Sequence, residues 1–246
     1  MRRDPILEVH DLGRRAYRPV LELQRELCRQ RMAGLIDRDL LLLVEHEPVI
    51  TLGRGTRATS MPMPAAALVT EGYEVVEVER GGDVTVHEPG QLVGYPILDL
   101  SRHRPDLHWY LRQLEETLIQ ALATLGVPAE RNPGLTGVWT RGRKIASLGI
   151  HVKQWITFHG FALNVVNDLR GFGLVVPCGI GGVTMTSVGR ELGPGEDLAG
   201  TWARARSAVV AAFGDVFACE PRFGDPRSLL PPTDAGWVPQ TAGTAP

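Results

Sequence analysis

The sequence predicts a mixed β-sheet flanked by helices, in the α/β or α+β class, and three observations carry that prediction. Strand-like runs, either apolar throughout or alternating apolar with polar, fall in two groups, from Leu40 to His87 and from Gly137 to Val165. Around these groups, apolar residues recur at helical spacing over residues 16–32, 106–125 and 198–217. Strands in groups with helices interspersed bury their apolar faces as a layered sheet-and-helix domain. A composition of 43% hydrophobic and 22% charged residues suits a globular chain, and 246 residues suffice for one large domain with an ordinary core.

Ile6 to Asp11 reads as a short first strand. The first helix turns Tyr17, Val20, Leu21, Leu27, Cys28 and Met32 inward and stops at Gly34; Cys28, on that stripe, reads as a small core residue. Leu40 to Val44 is apolar throughout, a buried strand, and leads into Val49 to Leu52 and the loop GRGTRATSMPMP. GRGT lacks the lysine and the spacing of a P-loop. Arg54 and Arg57 read as solvated loop charges, with a surface for an acidic partner as the alternative. Tyr73 to Glu79 and Val84 to His87 read as a hairpin across Gly81-Gly82. The dense glycines and prolines of HEPGQLVGYPILDL predict a bulge or a close approach of backbone to a ligand.

Asp106 is the expected cap of the clearest helix, whose apolar face is Leu107, Tyr110, Leu111, Leu114, Leu118, Leu122 and Leu125, and Gly126 and Pro128 end it. Gly137 to Thr140 pairs with Lys144 to Val152 across Arg141-Gly142, and Trp155 to Val165 is the next strand. A last helix presents Trp202, Ala205, Val209, Phe213 and Val216 to the core, and Cys219 after it reads as structural. From Pro226 the composition turns to proline, glycine, threonine and alanine without periodicity. Residues 1–225 are therefore the expected domain and residues 226–246 a disordered or loosely draped tail.

A formal charge of -2 carries no basic footprint for nucleic acid. Three cysteines, far apart and without a CxxC pair, supply neither a disulfide framework nor a zinc site, and they fit a reducing compartment. The N-terminal MRRDPILEVHDLG has acidic residues where a signal peptide needs an apolar run, and Leu40 to Val44 is too short to span a bilayer. A cytoplasmic protein that engages no membrane is the expectation.

The stretch from Lys144 to Ile180 holds the chemistry. Read as a strand, Lys144 shares its parity with Ala146, Leu148, Ile150 and Val152, which puts an ammonium on the apolar face. Such a lysine loses part of its preference for charge and can act as a base or pair with an anion. The alternative is that it starts its strand beside the turn and reaches water along its stem. Cys178 sits in PCGI, an irregular turn, and a cysteine there beside a cation is a candidate thiolate nucleophile. Lys144, His87, His151 and His159 are the possible activators. Spacing alone favours none of them, although His151 falls on the parity opposite Lys144. Thr184, Thr186 and Ser187 read as turn or capping residues.

The segment RGGDVTVHEPGQLVGYP, Arg80 to Pro96, resembles the RGG-x-VT-x-H-x-PGQL signature of the octanoyl-[acyl-carrier-protein]:protein octanoyltransferases. KIASLGIHVKQWITFHGFALNV and PCGI resemble that family's two other signature blocks, in the right order, and the likeness runs from about residue 5 to residue 225. It implies the fold of the biotin and lipoate protein ligase catalytic domains. It also implies that Lys144 lowers the pKa of Cys178, and that Cys178 takes the octanoyl group as a thioester. By the same correspondence the acyl chain lies against Arg80, Gly81, Gly82, Asp83, Val84, Thr85, Val86 and His87, against Ser147, Leu148 and Gly149, and against Gly160, Phe161 and Ala162. The chain departs from the family where a glutamine and a YHGPGQ run are usual and it has Asp83 and Val86-His87-Glu88-Pro89. A carboxylate at Asp83 or Glu88 is expected to alter the pocket rim or the acyl preference.

The implied reaction is ping-pong, from octanoyl-acyl-carrier protein to a lysine of lipoyl domains. The acceptors would be the 2-oxoacid dehydrogenase complexes and the glycine cleavage H protein. The likeness implies no ATP, no metal and no other cofactor, and a monomer is expected. The competing readings are an ATP-using ligase or an amidotransferase on the same fold, and a binding module for acyl-carrier or lipoyl domains without turnover. Cys178 argues against the ligase, which needs no cysteine nucleophile, and the Lys144 and Cys178 pair argues against the binding module.

Overall fold

The computed structural model describes residues 5–176, 183–195 and 197–229. In chain order the strands are β1 (Ile6–Arg15), β2 (Asp39–His46), β3 (Val49–Leu52), β4 (Glu74–Glu77), β5 (Val84–His87), β6 (Gln91–Ile97), β7 (Val138–Thr140), β8 (Arg143–Lys153), β9 (Ile156–Asn164) and β10 (Glu220–Phe223). The helices are α1 (Tyr17–Met32), α2 (Ala65–Thr70), α3 (Leu107–Thr124), α4 (Val188–Leu192) and α5 (Leu198–Phe217).

A seven-stranded sheet in the order β10-β1-β2-β6-β9-β8-β7 forms the centre, parallel between β10, β1 and β2 and antiparallel from β2 onward. β2 shows why its sequence is apolar at every position. Leu40, Leu42 and Val44 pack with Val20, Leu27 and Cys28 of α1 on one face, and Leu41 and Leu43 pack beneath α3 and α5 on the other. Covered on both faces, the strand has no wet side to mark with polar residues. Each such leucine contributes about 1.5–3 kcal/mol by leaving water. α3 starts where Asp106 accepts a hydrogen bond from the Trp109 N–H at 3.0 Å, and it buries Tyr110, Leu114, Leu118 and Leu122. Asp197 caps α5 in the same manner through the Ala199 and Gly200 N–H groups.

A smaller sheet, β4-β3-β5, corrects the expected hairpin between residues 73–79 and 84–87. β3 lies between the two strands, parallel to β4 and antiparallel to β5. The Gly81-Gly82 segment cannot close a tight turn because the Arg80 guanidinium fills it, donating to the carbonyls of Gly81, Asp83 and Thr51. The helix α2 was not foreseen: its six residues, AAALVT, are too few to display a period, and Leu68 is the one that is buried. Pro226–Leu229 forms a short 3-10 turn with Leu229 packed against the α1 layer. The rest of the expected tail, residues 230–246, lies outside the described residues.

Candidate active site

β8 does not keep its alternation. Val138 of β7 pairs with Ala146, whereas the next residue, Trp139, pairs with Lys144, so the register slips at Ile145. Ile145 and Ala146 both join the core beneath α3 and α5. A bulge of this kind turns every residue beyond it to the other face. Lys144 is therefore buried, at 2% exposure, as its neighbours predict, but it does not share a face with Ala146, which lies in the main core. It opens onto a cleft together with Ser147 and Gly149, and its ammonium lies 5.7 Å from the Trp139 ring centroid. The same slip places His151 on Lys144's side of the strand, which corrects the opposite parity read from the sequence. His151 nevertheless serves elsewhere, its ring bonded to the Glu79 carbonyl at 3.2 Å.

The cleft has a volume of about 230 Å³ and lies between β8–β9 and the segment from Arg80 to His87. One wall depends on glycine. A Cβ at Gly160 would come within 2.2 Å of the Gly94 carbonyl oxygen and 2.6 Å of Pro96, and a Cβ at Gly94 would meet the Phe161 ring at 2.2 Å. The β6 and β9 backbones thus approach closely at Gly160, and the Phe161 ring lies over Gly94, so neither glycine leaves room for a Cβ.

The opposite wall is wired by side chains. Arg80, 7% exposed, donates from Nη2 to the Thr51 carbonyl and hydroxyl at 2.8 Å and from Nη1 to the Asp83 carbonyl at 2.7 Å. GRGT packs here, with the Gly55 N–H on the Gly82 carbonyl and no room at Gly53 for a Cβ, which would lie 2.4 Å from that same oxygen. Its role is close packing against the Arg80 segment.

Of two buried histidines here, His87 lines the cleft and His46 lies behind it, with their ring centroids 5.8 Å apart. Gln91 Nε2 donates to the Val86 carbonyl and to Asn164 Oδ1, so Gln91 Oε1 must accept, and His87 Nδ1–H is its donor at 2.7 Å. That fixes Nδ1 of His87 as protonated. Burial, with His46 and Arg80 nearby, pushes His87 down to about 3. His46 accepts at Nε2 from the Tyr95 hydroxyl at 2.8 Å and donates from Nδ1 to the Arg15 carbonyl; burial takes it down to about 4. Tyr17 stacks on His87 with ring centroids 5.8 Å apart. His159 lines the same end with a left-handed backbone, φ 57°, held by its N–H on Gln24 Oε1.

Residues 16–214 match the lipoyl protein ligase A/B catalytic domain family. The octanoyltransferase of Thermosynechococcus vestitus is 47% identical over 224 residues, 91% of this chain and 96% of that one. That of Geobacter sulfurreducens is 46% identical over 231 residues, 93% and 89% of the two chains. This chain belongs to the octanoyltransferase family.

Among solved structures, a lipoate-protein ligase A bound with ATP superposes with a TM-score of 0.71 at 15% identity, over 92% of each chain. A bipartite lipoate protein ligase from Thermoplasma acidophilum gives 0.63 at 14%, over 92% of this chain and 90% of that one. At such identities the likeness is one of fold, and it bears out the lipoate ligase architecture that the sequence motifs implied.

Of the octanoyltransferase motif residues, Arg80, Gly82, Asp83, Val84, Thr85, His87, Lys144, Ser147, Leu148, Gly149, Gly160, Phe161 and Ala162 come together around the cleft. Gly81 and Val86 do not. Gly81 is exposed, with its N–H on the Ile150 carbonyl, and Val86 points across β5 into the cluster with Ile50, Leu68 and Phe172. Cys178 lies outside the described residues. Sequence reasoning missed Tyr17, Tyr95, Trp139 and the loop Gly134–Thr136, all of which line the cleft. Tyr17 carried a misleading signal, since it sits on the apolar stripe of α1; Tyr95 lay in the glycine- and proline-dense stretch already read as approaching a ligand, and Trp139 and Gly134–Thr136 carried none. Glu88 has no part in the rim: its oxygens accept from Asn167, the Leu169 N–H and the Tyr73 hydroxyl, away from the cleft. Asp83 does line it. Among the described residues no cluster of side chains could hold a metal, and no helix is long and apolar enough to cross a membrane.

Proposed function

We propose that this octanoyltransferase family member moves an octanoyl group from octanoyl-acyl-carrier protein to the ε-amine of a lysine on lipoyl domains, through a thioester on Cys178. The single observation that carries the reading is Lys144, a lysine buried to 2% exposure that opens onto a glycine-walled cleft beside the RGG segment. The described residues on either side of residues 177–182 bond to Lys144, which lines this cleft, and to Ser60, which is bonded to Asp83 of its rim. Lys144 N–H donates to the Thr184 carbonyl and Thr186 N–H donates to the Lys144 carbonyl, both at 2.9 Å, while Val176 N–H donates to the Ser60 carbonyl.

In the first half-reaction the Cys178 thiolate attacks the donor's thioester carbonyl. A new C–S bond forms, the donor's C–S bond breaks, and the carrier leaves as a thiol after taking a proton from the Lys144 ammonium. In the second, the acceptor amine attacks the acyl-enzyme, the C–N bond forms, and Cys178 departs as a thiolate. Lys144, left neutral by the first half-reaction, takes the proton the amine gives up and as an ammonium stabilises that thiolate. Thioester exchange is close to isoenergetic and aminolysis of a thioester runs downhill, so the sequence of steps calls for no nucleotide and no metal. Lipoyl domains of 2-oxoacid dehydrogenase complexes and the glycine cleavage H protein are the acceptors, and the enzyme acts as a monomer in the cytoplasm.

The test is mutational. Cys178→Ala abolishes transfer with the fold intact by circular dichroism, and undiminished transfer would contradict the mechanism. Lys144→Ala lowers the transfer rate by about 10²–10⁴-fold, the usual worth of a positioned acid–base group. It also moves the pH profile of iodoacetamide labelling of Cys178 upward. An unmoved profile would remove Lys144 from that role.

A further inference from the structure

We infer that Gly137 is a positioning residue for Lys144, keeping clear the space that the end of the lysine side chain occupies. The inference rests on Lys144 as the proton-transfer group of the proposed reaction. Gly137 immediately precedes β7, the strand whose register slip against β8 turns Lys144 to the cleft. Its φ of +136° lies where side chains are rarely tolerated. A Cβ there would come within 2.6 Å of Lys144 Cε, 3.2 Å of Lys144 Nζ and 2.9 Å of the Ala146 carbonyl oxygen. Carbon atoms pack at about 3.5–4.0 Å, so even one methyl group at this position competes with the lysine. The Ala146 carbonyl belongs to the sheet, whereas Cε and Nζ end a flexible chain. The ammonium is therefore the part that gives way.

Gly137 is itself held from α3. Its N–H donates to Glu115 Oε1 at 3.1 Å, while Glu115 Oε2 accepts from Arg112 at 2.5 Å and from Arg131 at 3.2 Å. Glu115 is fully buried, on a helix that otherwise turns Tyr110, Leu114, Leu118 and Leu122 to the core. Removing a carboxylate from water is costly unless its oxygens find such donors. The proposed reaction makes no use of this carboxylate, and its place beside Gly137 gives it one. Two arginines hold Glu115, Glu115 holds the Gly137 N–H, and the missing side chain at Gly137 leaves room for Lys144. Neither Gly137 nor Glu115 lines the cleft, so each reports the positioning of Lys144 without touching the substrate's space.

The experiment measures octanoyl transfer from octanoyl-carrier protein to a lipoyl domain, using the full chain. Wild type is compared with Gly137→Ala, Lys144→Ala, the double variant and Glu115→Gln in both backgrounds, each checked for folding by thermal melting. Gly137→Ala is expected to lower kcat by about a hundredfold, the cost of displacing a reacting group by about an ångström. Its KM for the donor stays within about twofold, which separates positioning from binding. In the Lys144→Ala background the same substitution changes the rate by less than about twofold, because the group it displaces is gone. Damage to the fold would slow both backgrounds alike. Glu115→Gln, of equal size, exchanges a charged acceptor for a neutral one and is expected to slow transfer by about fivefold where Lys144 is present. It carries the test if Gly137→Ala does not fold, and an unchanged rate would then overturn the inference. An unchanged kcat in folded Gly137→Ala, a loss confined to KM, or losses that multiply in the double variant would each overturn it too. Full transfer in Lys144→Ala would instead overturn the proposed role of Lys144. Slow transfer in Lys144→Ala beside full transfer in Gly137→Ala would overturn the positioning role alone.

Discussion

On one side of the cleft, β8 and β9 are joined by an antiparallel ladder that runs from Ala146 and Leu163 to Lys153 and Ile156, and Leu163 and Ala146 sit in the main core. On the other side, the Arg80 to His87 segment has main-chain bonds to β3, Arg54, Gly55 and Ile150 and adds to them ties from side chains: the guanidinium of Arg80, the carboxylate of Asp83 and the amide of Gln91. The first wall draws its shape from backbone bonds and buried apolar area, and what it requires of the sequence is mainly the absence of side chains at Gly94 and Gly160. The second adds to its β3–β5 ladder a set of specific polar groups, each of which has to be the right one. A cleft built this way keeps one rigid face and one face whose geometry a single polar substitution can shift.

Three measurements break or sharpen that contrast. The largest effect is expected for Arg80→Lys. Lysine offers a point charge in place of a planar fork, so the bonds to Thr51, Gly81 and Asp83 cannot all be remade. Denaturant unfolding should show a loss of about 3 kcal/mol, the worth of hydrogen bonds to a charged group. A loss below about 0.5 kcal/mol, the range of ordinary surface substitutions, would mean that the wall does not hang on its side chains.

Gly160→Ala comes next. Its Cβ would lie 2.2 Å from a backbone oxygen that belongs to the central sheet, so β6 and β9 must separate. Overpacking of this kind costs about 1–3 kcal/mol, and the melting temperature should fall by several degrees. Unchanged melting would show that this wall yields more readily than its ladder suggests.

The smallest effect is a slope. His87 and His46 stay neutral in the fold, at about 3 and about 4, while in the unfolded chain they take up protons near the ordinary 6.5. Between pH 6.5 and 4 the unfolded state binds the additional protons, so stability is full above 6.5 and falls as the pH drops through that window. Glu79, which its His159 contact and Arg25 hold down to about 2, adds a loss only below the ordinary carboxylate range. His87→Gln should flatten the slope of unfolding free energy between pH 6 and 4 by up to about 1.4 kcal/mol per pH unit. An unaltered slope would mean that His87 is not held neutral by the wall around it.

The parts of this structure legible in the sequence are those that local pattern dictates. Leu40 to Val44 announces a strand covered on both faces, Asp106 announces the start of α3, and Lys144 among apolar neighbours announces its own burial. What was not legible depends on partners distant in the chain. The pairing of β5 with β3 in place of β4 is decided by a guanidinium reaching back to Thr51. The face that Lys144 occupies is decided by a bulge, which an alternation of two cannot register. Asp83 and Glu88 look alike as departures from a motif, yet one lines the cleft and holds Ser60 while the other anchors the loop at Asn167 and Leu169. Only the three-dimensional arrangement separates them.

The most direct test of the central claim is the intact mass of the protein after mixing with octanoyl-carrier protein, before any acceptor is added and without nucleotide. A hydroxylamine-labile octanoyl adduct that forms in the wild type, is absent in Cys178→Ser and disappears on adding a lipoyl domain is the predicted result. No adduct in folded protein, or an adduct that survives in Cys178→Ser, would contradict it.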